Sequence, residues 1–521
     1  MLRKIRITLA AVFFIGLTLL FLDFTGTLHA LLGWMSKVQF WPAVLAINVV
    51  VVVVLIALTL VFGRIYCSVI CPLGVMQDLF GWLGKKAKKN RYTYSKEVAW
   101  LRYPLLVIFI VALLAGIGSV FQLLEPYSAF GRIATMLLQP LWMLGNNVLA
   151  SLAEHYDSYA FYSVDVWMRS MPVFIVALVT LVVLVVLAWR NGRTYCNTIC
   201  PVGTVLSFFA RFSLLKIRID TSKCKNCSLC AKNCKASCID FKNHKVDYSR
   251  CVVCGDCIKS CHSGAVSLTP SPSRRGEGSK YSQGQTISDG QAQKVTTPHP
   301  SEGGAGGGAS RRSFLLSTAL VTTAVLAQEK KKVDGGLAEI VGKKAPERQT
   351  PLAPPGAQSL KHLAQHCTGC QLCVSECPNG VLRPALLTSN SSLLSGFMQP
   401  VMDFDRGFCR PECTRCSDVC PAGAIKPLDE VEKSSIQIGH AVVSADHCIS
   451  ALGEAECGNC ARHCPAQAIE MVPTDPDDDL SPSVPAVNEE ACIGCGACEY
   501  LCPVRPLSAI HVEGHEVHRY I

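Results

Sequence analysis

The chain has 521 residues, half of them hydrophobic, with 29 cysteines and a net charge of +10. That length calls for several domains, and the charge is uneven: 39 Lys+Arg against 18 Asp+Glu before residue 360 make +21, and 10 against 21 from there on make −11. The basic part carries no basic helix or aromatic-basic platform, which excludes a nucleic-acid footprint, and it flanks apolar runs as loops beside membrane spans do.

Met1 to Arg6 is short and basic, and Ile7–Leu22 is an uncharged apolar run without a small-residue cleavage site. It reads as an anchor rather than a removed signal peptide. Phe40–Phe62, Pro104–Leu124 and Met171–Trp189 read as three further spans. The second is followed by Arg64, Lys85, Lys86, Lys88, Lys89, Arg91 and Lys96, and the fourth by Arg190, Arg193, Arg211, Lys216 and Arg218. Both loops are therefore expected on the cytoplasmic face. The expected fold class is an α-helical membrane bundle over residues 1–215, of four spans with a fifth signal-anchor span later in the chain, carrying small α+β ferredoxin-like domains. Ile133–Ala153 is uncharged but contains Gln139, Pro140, Asn146 and Asn147. Counting it as a span would put the two copies of the repeat described next on opposite sides, so it is expected as an interfacial or re-entrant helix on the outer face.

Gly63-Arg64-Ile65-Tyr66-Cys67-x-x-Ile70-Cys71-Pro72-x-Gly74 recurs as Gly192-Arg193-Thr194-Tyr195-Cys196-x-x-Ile199-Cys200-Pro201-x-Gly203. Cysteines four apart on a helical turn face the same way. Two such pairs meeting would make an additional redox or metal site from Cys67, Cys71, Cys196 and Cys200: a seventh cluster, another metal, or a redox-active thiol set. The plain alternative is four small buried side chains fixing two turns.

Residues 216–268 hold Cys224-x-x-Cys227-x-x-Cys230-x-x-x-Cys234 and Cys251-x-x-Cys254-x-x-Cys257-x-x-x-Cys261. In this bacterial ferredoxin spacing three close thiolates hold one [4Fe–4S] cube and the fourth reaches over to the partner cube. Cys261 then joins Cys224, Cys227 and Cys230, and Cys234 joins Cys251, Cys254 and Cys257, with Cys238 competing for the place of Cys234. Lys235 and His262 stand where proline is usual. Residues 269–309 read as a flexible Pro/Ser/Gly/Gln linker. Ser310-Arg311-Arg312-Ser313-Phe314-Leu315 and the apolar run after it make residues 310–328 a twin-arginine signal or anchor helix, and 329–359 read as a second linker.

Residues 360–521 contain four more runs, each closed by Cys-Pro: Cys367, Cys370, Cys373, Cys377; Cys409, Cys413, Cys416, Cys420; Cys448, Cys457, Cys460, Cys464; and Cys492, Cys495, Cys498, Cys502. A disulfide scaffold needs no such repeated spacing, and zinc ribbons use two Cys-x-x-Cys pairs rather than triplets with a distant fourth. Six clusters in all take 24 thiolates, leaving Cys67, Cys71, Cys196, Cys200 and Cys238 of the 29. Which of the last four runs exchange their fourth cysteine stays open: neighbours pair, or outer with outer and inner with inner.

On these motifs residues 1–268 resemble the NapH-type membrane ferredoxin subunit of periplasmic nitrate reductase systems and related methylamine-utilisation proteins. Residues 310–521 look like the NapG-type partner, through the twin-arginine signal, Pro354-Pro355-Gly356-Ala357, and the Cys448–Cys457 spacing. The resemblance implies electron transfer from membrane quinol toward a periplasmic acceptor protein. It places the chain in the bacterial inner membrane, with the first ferredoxin domain cytoplasmic and the last module periplasmic. The alternative of another class is a membrane ferredoxin that reduces metal for the maturation of another metalloenzyme; a third is a wholly cytoplasmic electron-transfer subunit. His29 and His155 are the only histidines before His244 and neither lies in an expected span, so iron–sulfur centres rather than haem are expected to carry the electrons.

Overall fold

The computed structural model describes residues 2–87, 92–270, 332–333, 338–339, 341–385, 396–475, 477 and 481–521. The twin-arginine segment 310–328 and the linker after Pro270 lie outside the described residues. The chain divides into two units, Met1–Pro270 with Ile340–Ile521, and Ser271–Glu339. In the second unit the described residues form one antiparallel pair, Lys332–Val333 with Ala338–Glu339.

In the first unit the longer helices of residues 1–215 are α1 (Leu2–Leu22), α2 (Val49–Phe62), α3 (Pro72–Lys86), α4 (Ala99–Leu114), α5 (Pro126–Ile133), α6 (Gln139–His155), α7 (Met171–Asn191) and α8 (Pro201–Ala210). They do not make the expected four-span bundle. Among the described residues only two helices are long and apolar enough to cross a membrane, Arg3–Leu22 within α1 and Met171–Asn191. The apolar run Phe40–Phe62 is broken at Ile47, whose φ is +54°. Asn48 then caps a new helix by accepting from the Val51 N–H at 3.2 Å. The resulting α2 has 14 residues, about 21 Å against a hydrocarbon core of about 30 Å. The run Pro104–Leu124 is broken in the same way at Gly116, with φ +69°. Hydropathy counts side chains, whereas a span also needs an unbroken hydrogen-bond ladder, and a left-handed residue interrupts it. Ile133–Ala153, expected as interfacial or re-entrant, belongs to a continuous helical stretch in which a π-helical turn, Ala134–Leu138, joins α5 to α6. Every residue of α5 is buried.

The two repeats fold alike. Gly63 and Gly192 have φ of +75° and +71°, a one-turn helix follows at Tyr66–Val69 and Thr194–Thr198, and Pro72 and Pro201 open α3 and α8. Proline suits the first helical turn, where its missing N–H has no partner to lose. A Cβ on Gly74 would strike the carbonyl oxygen of Cys67, and one on Gly203 that of Cys196, so the last glycine of each repeat lets the helix start close over the preceding turn.

The first ferredoxin domain is α+β. Strand β1 (Leu215–Ile219) pairs antiparallel with β4 (Val266–Pro270), and β2 (Ile239–Asp240) pairs with β3 (Lys245–Val246). Counting Lys332–Val333 and Ala338–Glu339 as β5 and β6, the C-terminal module has three antiparallel pairs. They are β7 (Leu382–Pro384) with β8 (Pro400–Met402), β9 (Ile436–Val443) with β12 (Ile510–Tyr520), and β10 (Ile469–Pro473) with β11 (Ser483–Val487). Its core gathers Leu352, Phe404, Ile438, Val512 and several of the cysteines. Leu352 and Gly356, within the expected second linker, accept from the N–H groups of Met402 and Lys426, each at 2.9 Å, and pack as part of this module.

Helix α1 touches both ferredoxin modules. At its start Arg3 Nε lies 2.7 Å from Asp256 Oδ1, between Cys254 and Cys257 in sequence. At its end Phe21 and the carbonyl of Cys370 both close on the same side of Gly131, where a Cβ would strike them. Its 21 residues span about 30 Å. The C-terminal module is held to the helices by Ser128 Oγ donating to the Thr368 carbonyl at 2.6 Å and Gln139 Nε2 donating to that of Ser375 at 3.2 Å. Trp167 adds its ring, which lies 4.7 Å from the guanidinium of both Arg383 and Arg406.

Candidate functional site

The structure places the cysteines in sets of four, and the fourth member of each set comes from a neighbouring run. Cys224, Cys227, Cys230 and Cys261 line one cavity. Cys377 leaves its own run to line a cavity with Cys409, Cys413 and Cys416. Cys464 does so with Cys492, Cys495 and Cys498, and Cys502 with Cys448, Cys457 and Cys460. Cys420 lies within electrostatic reach of Cys367, Cys370 and Cys373, and Cys234 within reach of Cys254 and Cys257. The exchange open on sequence is thus first run with second, and third with fourth. Cys238 sits beside the Cys251 set, its Sγ 3.5 Å from that of Cys234.

The loops have a shared backbone device. In each run with strict two-residue gaps, the residues on either side of the second cysteine are left-handed: Asn226 and Ser228, Val253 and Gly255, Gly369 and Gln371, Gly494 and Gly496. Successive N–H groups in such a turn face one concave side and favour anionic ligands. A β-branched residue in that conformation is an outlier, so Val253, at φ +48°, marks a loop held there by its surroundings. Backbone N–H groups also reach sulfur, from Gly369 to Cys367 Sγ at 3.4 Å and from Ala468 to Cys464 Sγ at 3.3 Å. Burial pushes the Cys370 and Cys495 thiols up to about 12, so iron binding there must displace protons.

Cys67, Cys71, Cys196 and Cys200 are brought together, each no more than 3% exposed. The arginine of each repeat clamps the other. Arg64 Nη2 donates to the Cys196 carbonyl at 2.9 Å, and Arg193 Nη1 donates to that of Cys67. These arginines went unassigned on sequence, although each precedes its motif by the same spacing in both copies. Arg193 also pairs with Asp78 at 2.7 Å, and Lys235 Nζ pairs with the other carboxylate oxygen at 2.6 Å. Burial would raise the Asp78 carboxyl, but these two cations hold it well below the usual carboxylate range. Asp78, Lys235, Asp256, Arg3 and Arg6 form the polar wall of a cavity of about 640 Å³ whose other wall is Ile7, Ala10, Phe14, Val75, Leu79 and Trp82.

Two models described as 4Fe-4S binding domains match the chain. A "4Fe-4S binding domain" matches residues 44–91 and again 173–220, the two copies of the repeat, and a "4Fe-4S dicluster domain" matches 455–505. The methylamine utilization ferredoxin-type protein MauM of Methylobacillus flagellatus is 31% identical over 176 residues, 32% of this chain and 70% of that one. The chain belongs to the ferredoxin-type family of MauM. Ferredoxin-type protein NapG of Escherichia coli is 29% identical over 32% of this chain and 75% of its own length, and NapF of the same organism 27% over 35% and 99%. This ferredoxin-type protein therefore carries 4Fe-4S binding domains and serves iron–sulfur electron transfer.

Proposed function

We propose that this protein carries electrons from the quinol pool of the bacterial inner membrane to a periplasmic acceptor protein, using six [4Fe–4S] clusters held by the six crossed cysteine sets. The observation that carries the reading is that the two ferredoxin modules meet opposite ends of α1, one of the two helices able to cross a bilayer. A membrane around α1 and α7 leaves residues 216–268 on the cytoplasmic face and 360–521 on the periplasmic one, as the Arg311-Arg312 signal suggests. The clusters supply one-electron redox chemistry.

The cavity beside Lys235 suits the donor. It offers an apolar wall for a tail and a charged end for a hydroxylated ring, next to the loop of Cys254. A quinol releases two electrons and two protons on becoming quinone, so each molecule reduces two oxidised clusters and its protons pass to water. The acidic surface of residues 360–521 favours a basic docking partner.

The test uses the full chain in lipid nanodiscs under anaerobic conditions. A menaquinol analogue should reduce the clusters, seen as growth of the reduced-cluster EPR signal, and protease added outside spheroplasts should digest residues 360–521. Clusters that only dithionite reduces would remove the quinol donor. A module protected from outside protease, in wild type and in an Arg311→Lys, Arg312→Lys variant alike, would remove the periplasmic acceptor.

A further inference from the structure

We propose that Lys433 raises the reduction potential of the [4Fe–4S] cluster at Cys377, Cys409, Cys413 and Cys416 above that of the adjoining cluster at Cys464, Cys492, Cys495 and Cys498, so that an electron shared between the two rests on the Cys409 side. Occupancy of both sites rests on the six-cluster reading above; the role of Lys433 does not depend on the quinol donor or on the side of the membrane.

Lys433 is a lysine placed in the core. It is 5% exposed and belongs to the short helix Glu430–Ser434, whose start is capped by Asp429 accepting from the Glu432 N–H at 2.6 Å. Lysine is almost never buried so deeply without a partner. Its Nζ donates to the carbonyls of Arg410 and Cys413, both within the second cysteine run. An ammonium has three donors, and the third is met by Cys409, to which the Lys433 side chain also hydrogen-bonds. Burial pushes the Cys409 thiol up to about 11, and the charge of Lys433 acts against it. The same charge reaches Cys416.

Charge gives the contact its consequence. Among the described residues no carboxylate pairs with Lys433. The two carbonyls solvate the ammonium without neutralising it, and an uncompensated buried cation is costly. Four thiolates around an iron–sulfur core carry net negative charge and offset it. Each electron added there deepens that charge by one and needs no proton, so a cation held against the sulfurs favours the reduced state. Net charge and hydrogen bonds to sulfur are the means by which a protein sets such a potential.

The adjoining set has different surroundings. Cys492 and Cys498 have the carboxylates of Glu489 and Glu499 within electrostatic reach. Glu499 is 1% exposed and is countered by Arg348 at 2.6 Å, rather than by a cation on the sulfurs. Cys409 lies within electrostatic reach of Cys495, so the two sets are neighbours. One electron passing between neighbours changes the charge of each by one, and the unequal surroundings decide where it rests.

The experiment titrates the full chain, purified anaerobically in detergent, with dithionite and redox dyes while EPR follows each reduced centre. Dithionite supplies the electrons, so the result is independent of whether quinol reduces the protein. Cys413→Ser and Cys492→Ser, each short of about four irons, show which signal belongs to which set. Lys433→Met should keep its iron and move the Cys409 centre alone to lower potential. At the potential where the wild-type centre is half reduced, its reduced-to-oxidised ratio should fall about tenfold, a shift of about 59 mV for one electron. Lys433→Arg keeps the charge and should restore most of the shift. An unmoved centre in Lys433→Met, an equal fall in Lys433→Arg, or a wild-type Cys409 centre below the Cys492 centre overturns the proposal. If Cys413→Ser loses no iron, the cluster assignment fails and takes the proposal with it. Should Lys433→Met fail to fold, Lys433→Gln keeps a donor to the two carbonyls without the charge and should show the same downward shift; a titration identical to wild type counts against the role of Lys433.

Discussion

The backbone N–H of Cys409 donates to the carbonyl of Cys495 at 3.0 Å. That single bond joins the second cysteine run to the fourth. It sets the Cys409 and Cys492 sets side by side, while the Cys367 set lies against the helices, where the Thr368 carbonyl accepts from Ser128 Oγ.

Crossed ligation makes the cysteine variants non-additive in a set pattern. Cys464→Ser and Cys492→Ser belong to one set, so the double variant should lose no more than the about four irons either single variant loses. Cys464→Ser with Cys448→Ser strikes two sets and should lose about twice as much. Iron and sulfide assay of the purified variants decides it. The reverse pattern, with the Cys464/Cys448 double losing one cluster and the Cys464/Cys492 double losing two, would mean that each run ligates only its own cluster.

Arg64 holds the two repeats together, bonding to Asn197 Oδ1 at 2.9 Å as well as to the Ser249 and Cys196 carbonyls. Arg64→Met leaves those acceptors buried and unpaired. It should cost about 3 kcal/mol of stability, read as a lower denaturant midpoint. Arg64→Lys keeps the charge but not the planar fork, and should recover only part of the loss.

The Trp167 ring lies 4.7 Å from the guanidinium groups of both Arg383 and Arg406, and Arg406 also pairs with Asp165 at 2.7 Å. Trp167→Ala should weaken the hold of the C-terminal module on the helices by about 1–2 kcal/mol. Faster amide exchange at Thr368–Ser375, with exchange in β9 and β12 unchanged, is the expected signature. Uniform exchange changes would show that the tryptophan supports the whole fold instead.

His518 is 8% exposed, and neither ring nitrogen has a hydrogen-bond partner among the described residues. Burial, with a smaller contribution from His515, lowers its pKa to about 4. The folded state therefore keeps the ring neutral while the unfolded chain takes up a proton near pH 6.5. Stability from this residue is full at pH 7 and declines as pH falls from 6.5 toward 4, by up to about 3 kcal/mol. His518→Leu should flatten that part of the profile. Urea midpoints at pH 7 and pH 5, compared between the two proteins, should differ in slope; parallel profiles would show that His518 does not titrate on unfolding.

The cluster chemistry was legible from one-dimensional spacing because it is local. Cys-x-x-Cys-x-x-Cys with glycine or asparagine beside the second cysteine encodes its own left-handed turn, and the repeat around Cys67 and Cys196 announced two matching pairs. Even the clamp was visible in principle, since Arg64 and Arg193 occupy equivalent places. The partners were not. Whether Cys377 goes to the second run or the fourth depends on packing between strands and helices far apart in sequence, which spacing does not carry. The spans failed for a related reason. The sequence by itself determined which residue types are apolar and which bind iron; only the tertiary structure decided that Ile47 and Gly116 turn left-handed and cut two apolar runs short, that neighbouring runs cross, and that two cysteine pairs 129 positions apart in the two halves of a repeat meet under buried arginines. Hydrogen-bond ladders and long-range burial settle those outcomes, and neither is a property of any single stretch of chain.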